Sequence, residues 1–129
     1  MVDPAILYRK LSRMAEYLDE LEKIRPPSFE EYSSNVTARR AVERLIQLLV
    51  EVANDINVHA VVDAGMQPPH TYYDGFLQAA TAGLLSEDLA RQLAPSAGAR
   101  NIIVHEYETI DDCIVYENAG KALQLYREY

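Results

Sequence analysis

Apolar residues recur at three- and four-residue intervals along most of this chain, and no useful length of it alternates with the period of two that a half-buried strand requires. Ile6, Leu7, Leu11, Met14, Leu18 and Leu21 put one apolar face on a first helix reaching about Ile24, with Arg9, Lys10, Arg13, Glu16 and Glu20 on the solvated face. Asp3 is its expected N-cap, Pro4 its first helical residue, and Arg25-Pro26-Pro27 its end. Ser28-Phe29-Glu30-Glu31 reads as a capping box opening a short helix to about Tyr32, and Ser33 to Thr37 offers a kink or a fresh start. The longest element runs from about Asn35 to Asp63, with Val42, Leu45, Ile46, Leu49, Val52, Ala53, Ile56 and Ala60 as its apolar stripe. Glu43, Gln47, Glu51 and Asn54 make a second, polar stripe on the same helix. That stripe is either a solvent face or part of a dimer interface or groove floor.

Gly65 to His70 is a breaker-rich loop, after which Thr71 to Asp74 caps a helix carried by Phe76, Leu77 and Ala80 to Gly83. Ser86-Glu87-Asp88 starts another, which Pro95 interrupts and bends, with Gly98 close behind. Asp111 is the expected N-cap of a last helix whose apolar face is Ile114, Val115, Ala119, Ala122, Leu123 and Tyr126. The fold class that follows is all-α, an up-and-down bundle of about five helices in one domain, residues 1–129.

Composition narrows this picture. A chain of 129 residues with 49% hydrophobic content fits a soluble globular domain with a real core. No apolar run approaches the length of a membrane span, and Met1-Val2-Asp3-Pro4 lacks the basic start and apolar block of a signal peptide, so a cytoplasmic location is expected. Cys113, the one cysteine, excludes an internal disulfide and a thiolate cluster, and reads as a buried or half-buried residue. His59 reads as a structural histidine, and no metal is assigned to His70 or to any other residue. Tyrosines 8, 17, 32, 72, 73, 116, 126 and 129 read as rim residues that bury a ring and leave a hydroxyl wet. A net charge of −8 argues against broad, charge-driven nucleic-acid binding, unless the few cations concentrate around one groove or two chains pool their arginines.

Candidate chemistry gathers in Ala99-Arg100-Asn101-Ile102-Ile103-Val104-His105-Glu106-Tyr107, where an arginine, a histidine and a tyrosine bracket an apolar triplet. On an ideal helix Arg100 and His105 lie roughly 140° apart, so they converge only if the helix ends near His105. The β-branched triplet and the loss of helical period from Glu106 to Thr109 favour such an end. A histidine at a helix C-terminus also serves as a simple cap.

The pattern Arg-x4-His-x-Tyr, here Arg100, His105 and Tyr107 with polar Asn101 after the arginine, resembles the signature of the HEPN ribonucleases, and more narrowly that of HepT toxins of HEPN/MNT toxin–antitoxin pairs. Thr71-Tyr72-Tyr73-Asp74-Gly75-Phe76, Ala82 to Leu85 and Leu89 to Pro95 resemble that family's approach to the motif, and Ile110-Asp111 with Val115-Tyr116 its exit. The likeness extends from about Arg40 to Tyr126.

The resemblance implies the toxin of a type VII-like pair, a metal-independent RNA endonuclease without cofactor, acting as a homodimer with its site in the cleft between chains. The RNA would be tRNA or mRNA. Arginine suits a phosphate because its fork donates two parallel hydrogen bonds and stays charged, and histidine suits proton transfer because its pKa lies near neutrality. Arg100 would stabilise the phosphate, His105 would act as general acid/base and Asn101 would support them. One histidine cannot easily be acid and base at once, which two copies facing across a two-fold axis would solve. The resemblance further implies that a partner nucleotidyltransferase of the MNT type transfers AMP to Tyr107 and silences the toxin. Two other functions stay open: a HEPN-fold module that binds a nucleotide or partner without chemistry, and a structural helical adaptor.

Overall fold

Side-chain caps start most of the helices, as the sequence requires. Ser28 Oγ accepts from the Glu31 amide at 3.2 Å, Asn35 Oδ1 from Ala38 at 3.0 Å, Thr71 Oγ1 from Asp74 at 3.0 Å, Ser86 Oγ from Leu89 at 3.1 Å, and Asp111 Oδ1 from Cys113 at 3.0 Å. The computed structural model describes residues 4–105 and 111–129, without the side chains of Ile102, His105 and Glu128. The expected Asp3 cap lies outside the described residues.

Among the described residues the helices are α1 Pro4–Ile24, α2 Phe29–Ser34, α3 Val36–Asp63, α4 Tyr72–Thr81, α5 Glu87–Leu93, α6 Ser96–His105 and α7 Asp112–Leu125, followed by a 3-10 turn at Tyr126–Glu128. The bundle is all-α, as expected. The short α2 and the long α3 are separate, as the caps suggested, and seven helices stand against about five expected because Pro95 divides α5 from α6 where only a bend was expected. Two helices end where only glycine is comfortable: Gly65 (φ 81°) after α3 and Gly83 (φ 89°) after α4. At each, two reverse hydrogen bonds close the last turn, Met66 N to Val61 O with Gly65 N to Val62 O, and Leu84 N to Ala79 O with Gly83 N to Ala80 O.

The core forms around α3, which packs against α1, α2, α4, α6 and α7. Its Val42, Leu49, Val50, Ala53, Ile56 and Val61 are almost wholly buried. They meet Met14, Leu18 and Leu21 of α1, Phe76 and Ala79 of α4, and Val115 and Ala119 of α7 in one apolar cluster. By length and by a mean hydropathy of 1.4 over 18 residues, α3 also passes as a membrane span, contrary to the expectation that no apolar run approaches one. The apolar stripe is used inside the bundle. The same helix places Arg40, Arg44, Glu51, Asp55 and His59 at positions that are exposed or half-buried.

Polar contacts tie the ends of the bundle together. Arg39 Nη1 reaches Asp112 Oδ2 at 2.9 Å between α3 and α7. Arg25 lies over the Tyr116 ring at 3.8 Å while Nε and Nη2 donate to the Tyr116 carbonyl at 3.3 and 3.2 Å. Tyr116 returns a bond from its hydroxyl to the Pro26 carbonyl at 2.8 Å.

Three tyrosines are not the rim residues that their composition suggested. Tyr32 and Tyr126 are core residues at 0% and 2% exposure. Tyr129 is half-buried, with its hydroxyl donating to Asn57 Oδ1 at 2.5 Å. Burial pushes all three phenols well above the ordinary value of 10.0, because a phenolate would be desolvated there. The native state therefore keeps protons that the unfolded chain releases above about pH 10. Stability is accordingly independent of these groups below pH 10 and falls as pH rises past it. Urea melts across pH 8 to 11 are expected to give a level midpoint that drops at the alkaline end, and Tyr126→Phe with Tyr129→Phe is expected to reduce the drop.

Candidate functional site

Pro95 sets where the site helix begins. Lacking an N–H, it cannot continue the hydrogen-bond ladder of α5, which closes with Ala94 N on Ala90 O at 2.9 Å. The chain restarts as α6 with Ala97 N on Ala94 O at 3.1 Å and Gly98 N on Pro95 O at 3.0 Å. The Ser96 hydroxyl donates to Leu93 O at 2.7 Å, so its contact with the Tyr126 hydroxyl, also 2.7 Å, takes the tyrosine proton. Ala97, Ala99 and Ile103 then bury one face of α6. That burial leaves Arg100 half-covered and Asn101 exposed.

Arg100 is held on three sides. Its side chain is 17% exposed, and Nη2 lies 3.5 Å from Glu51 Oε1 on α3. Nη1 donates to Asn101 Oδ1 at 3.3 Å. The guanidinium carbon sits 4.6 Å from the centroid of the Tyr72 ring on α4, within the range of a cation–π contact. Gln47 Nε2 donates to the same Glu51 oxygen at 3.2 Å, one helical turn earlier on α3. The Arg100 Nε is buried and has no hydrogen-bond partner among the described residues.

Distances rank these contacts. At 3.5 Å the Glu51 contact is at the long limit of hydrogen bonding, and a partly exposed ion pair contributes about 0–1 kcal/mol. A cation over an aromatic face adds about 0.5–2 kcal/mol, depending on how far it is desolvated. Tyr72 therefore holds the guanidinium at least as firmly as Glu51 does. Such an arginine can bind an anion by exchanging Glu51 for it, with the ring still beneath.

The sequence-predicted residues fare differently. Arg100 and Asn101 are brought together, and the polar stripe of α3 supplies Glu51 to Arg100, with Gln47 behind it on Glu51. His105 is the last residue of α6, as expected, about 7.5 Å along the helix axis from Arg100. Its ring lies outside the described residues, and so does Tyr107. Tyr72, expected on the rim, lies beneath the arginine instead. His59 is exposed rather than structural, and Cys113 is exposed rather than buried, 3.7 Å from Glu117 Oε1.

A model of the ribonuclease HepT-like family matches residues 14–129 of the chain. The chain is also 35% identical over 128 residues to the tRNA nuclease HepT of Aphanizomenon flos-aquae (strain 2012/KM1/D3), covering 99% of this chain and 87% of that protein. The chain belongs to the HepT-like family. Its fold is similar to that of the tri-AMPylated HEPN toxin of Shewanella oneidensis, solved in complex with an MNT antitoxin, at a TM-score of 0.83, 21% identity and coverage of 95% of this chain and 92% of that one. A second similar structure, a toxin–antitoxin with AMP-PNP, has a TM-score of 0.82 at 20% identity and covers 95% and 93% of the two chains. At these identities the structural likeness carries the HEPN fold, and the family rests on the sequence matches.

In this HepT-like chain the coupling of Arg100 to Tyr72 is measurable. A double-mutant cycle on Arg100→Met and Tyr72→Leu, read from urea melts, is expected to give a coupling of about 0.5–2 kcal/mol. Additivity within about 0.3 kcal/mol would mean that the ring does not hold the guanidinium.

Proposed function

We propose that this chain, as one HEPN-like domain over residues 1–129, is the toxin of a type VII-like toxin–antitoxin pair and cleaves RNA in the cytoplasm as a homodimer, without metal or cofactor. The observation that carries the proposal is its 35% identity, over 99% of its length, to a tRNA nuclease HepT, together with a half-covered Arg100 five residues before His105. The substrate that this likeness favours is tRNA.

In the proposed reaction a base takes the proton of a ribose 2′-hydroxyl, the freed oxygen attacks the adjacent phosphorus, and an acid protonates the departing 5′-oxygen. Arg100 stabilises the charge that builds on the phosphate. His105 from one protomer acts as base and its symmetry mate as acid, while Asn101 steadies the arginine through its amide oxygen. The site needs an open arginine when RNA arrives, and exchange of Glu51 for phosphate provides it.

Silencing is proposed to occur at Tyr107. A cognate MNT-type nucleotidyltransferase would direct the tyrosine oxygen at the α-phosphorus of ATP, forming a phosphodiester to AMP and releasing pyrophosphate. The anionic nucleotide would sit in the motif and compete with RNA for Arg100. Support comes from the similarity in fold to an AMPylated HEPN toxin bound to its MNT antitoxin.

The decisive experiment compares growth and tRNA integrity in bacteria expressing the wild-type chain, His105→Ala or Arg100→Ala. Wild type is expected to arrest growth and leave tRNA fragments, with purified His105→Ala slower by about 10²–10⁴-fold and Arg100→Ala by about 10²–10³-fold, and with cleavage unaffected by chelator. If the three chains behave alike at equal soluble expression, the non-catalytic binding module replaces the nuclease. For Tyr107→Phe, co-expression of the antitoxin is expected to leave no AMP adduct by mass spectrometry and to restore growth less fully than it does for wild type.

A further inference from the structure

A nuclease with a net charge of −8 must hold a polyanion against its own field, so the placement of its 12 Lys and Arg residues matters. Most are paired with carboxylates scattered over the bundle. One face differs. Arg9, Lys10 and Arg13 line a shallow cleft of about 320 Å³ with Val52, the residue after Glu51 on α3. Lys10 Nζ reaches Asp55 Oδ2 at 3.1 Å, as Arg100 reaches Glu51. Arg44, Glu51 and Asp55 lie within about 40° of one another on the α3 helical wheel, forming one ridge. The ridge therefore connects the α1 cations at Asp55 to the Arg100 site at Glu51.

Helix stability does not explain the α1 cations. The macrodipole favours acids near an N-terminus and bases near a C-terminus. In α1 no acid occupies the first turn and Lys23 alone is basic in the last, while Arg9, Lys10 and Arg13 stand in the N-terminal half and Asp19, Glu20 and Glu22 in the C-terminal half. Arg9 and Arg44 are exposed and make no ion pair among the described residues. Three of the chain's 12 cations thus line one cleft, while Arg44 stands on the adjoining α3 ridge and Arg100 is paired with that ridge at Glu51.

We propose that Arg9, Lys10 and Arg13 of α1, with Arg44 of α3, form a binding track for the phosphodiester backbone of the RNA on which Arg100 acts. The inference rests on the ribonuclease reading and adds to it the surface that holds substrate away from the cut. Because Asp55 and Glu16 interleave with the cations, the face attracts phosphate by contact rather than at long range. Each phosphate that lands on Lys10 or Arg13 replaces a carboxylate.

The test uses the full chain carrying His105→Ala, so that binding is read without cleavage, and labelled bulk bacterial tRNA as the probe across a series of salt concentrations. Arg9→Ser with Arg13→Ser is expected to weaken binding at least tenfold at low salt. It should also flatten the plot of log affinity against log salt by about one unit per lost cation. Arg91→Ala with Lys121→Ala, on α5 and α7, removes the same formal charge and is expected to leave both quantities unchanged. Arg9→Lys with Arg13→Lys is expected to retain binding. In the cleavage-competent chain the serine pair is expected to raise KM and spare kcat. Serine variants that behave like the α5 and α7 controls would overturn the track while wild-type cleavage leaves the nuclease standing. Serine variants that lose dimerisation or antitoxin binding, with tRNA affinity intact, would assign the face to protein instead. A wild-type chain that neither binds nor cuts tRNA overturns both proposals.

Discussion

Burial of the apolar stripe of α3 is the constraint on which the remaining geometry depends. An all-helical bundle has no sheet to fix the register of its parts, so position is set by side chains that must leave water. The stripe from Val42 to Val61 is closed by α1, α4 and α7, and this fixes the rotation of α3 about its own axis. A fixed rotation also fixes the opposite ridge. Glu51 and Asp55, one turn apart, stand where Arg100 and Lys10 find them because Ala53, between them, is turned into the core.

The second constraint is the break at Pro95. A continuous helix from Glu87 would carry Arg100 in the register of α5. The restart at Ser96 gives α6 its own register, pinned by a relay of two hydroxyls from Tyr126 through Ser96 to the Leu93 carbonyl. The neighbouring Tyr129 reaches Asn57 of α3 by its own hydroxyl. The last turns of the chain thereby brace both the helix that presents the arginine and the helix that presents its carboxylate.

Much of this was legible in the sequence because it is local. Ser28, Asn35, Thr71, Ser86 and Asp111 act on amides two or three residues away, and Pro95 acts on its own backbone. The family resemblance also rests on short-range patterning around Arg100. The partners of Arg100 were harder to see. Glu51 lies 49 residues away, and only its place in a polar stripe hinted at it. Tyr72 belongs to a stretch that resembles the family's approach to the motif, but nothing local told of its contact with Arg100, since a tyrosine on a rim and a tyrosine beneath a guanidinium have the same local sequence. The buried Tyr32 and Tyr126, like the exposed Cys113 and His59, were misjudged for the same reason. Residue type sets a tendency toward inside or outside, but the neighbouring helices decide the individual case.

The clamp around Arg100 has a consequence in rotamer entropy. A free arginine on a surface samples many side-chain conformers, and an anion that binds it must freeze them at a cost of up to about 2 kcal/mol. Here the Tyr72 ring and Glu51 have already frozen them during folding. An arriving anion meets a guanidinium already held in place, and the ordering cost falls on the stability of the bundle rather than on the encounter.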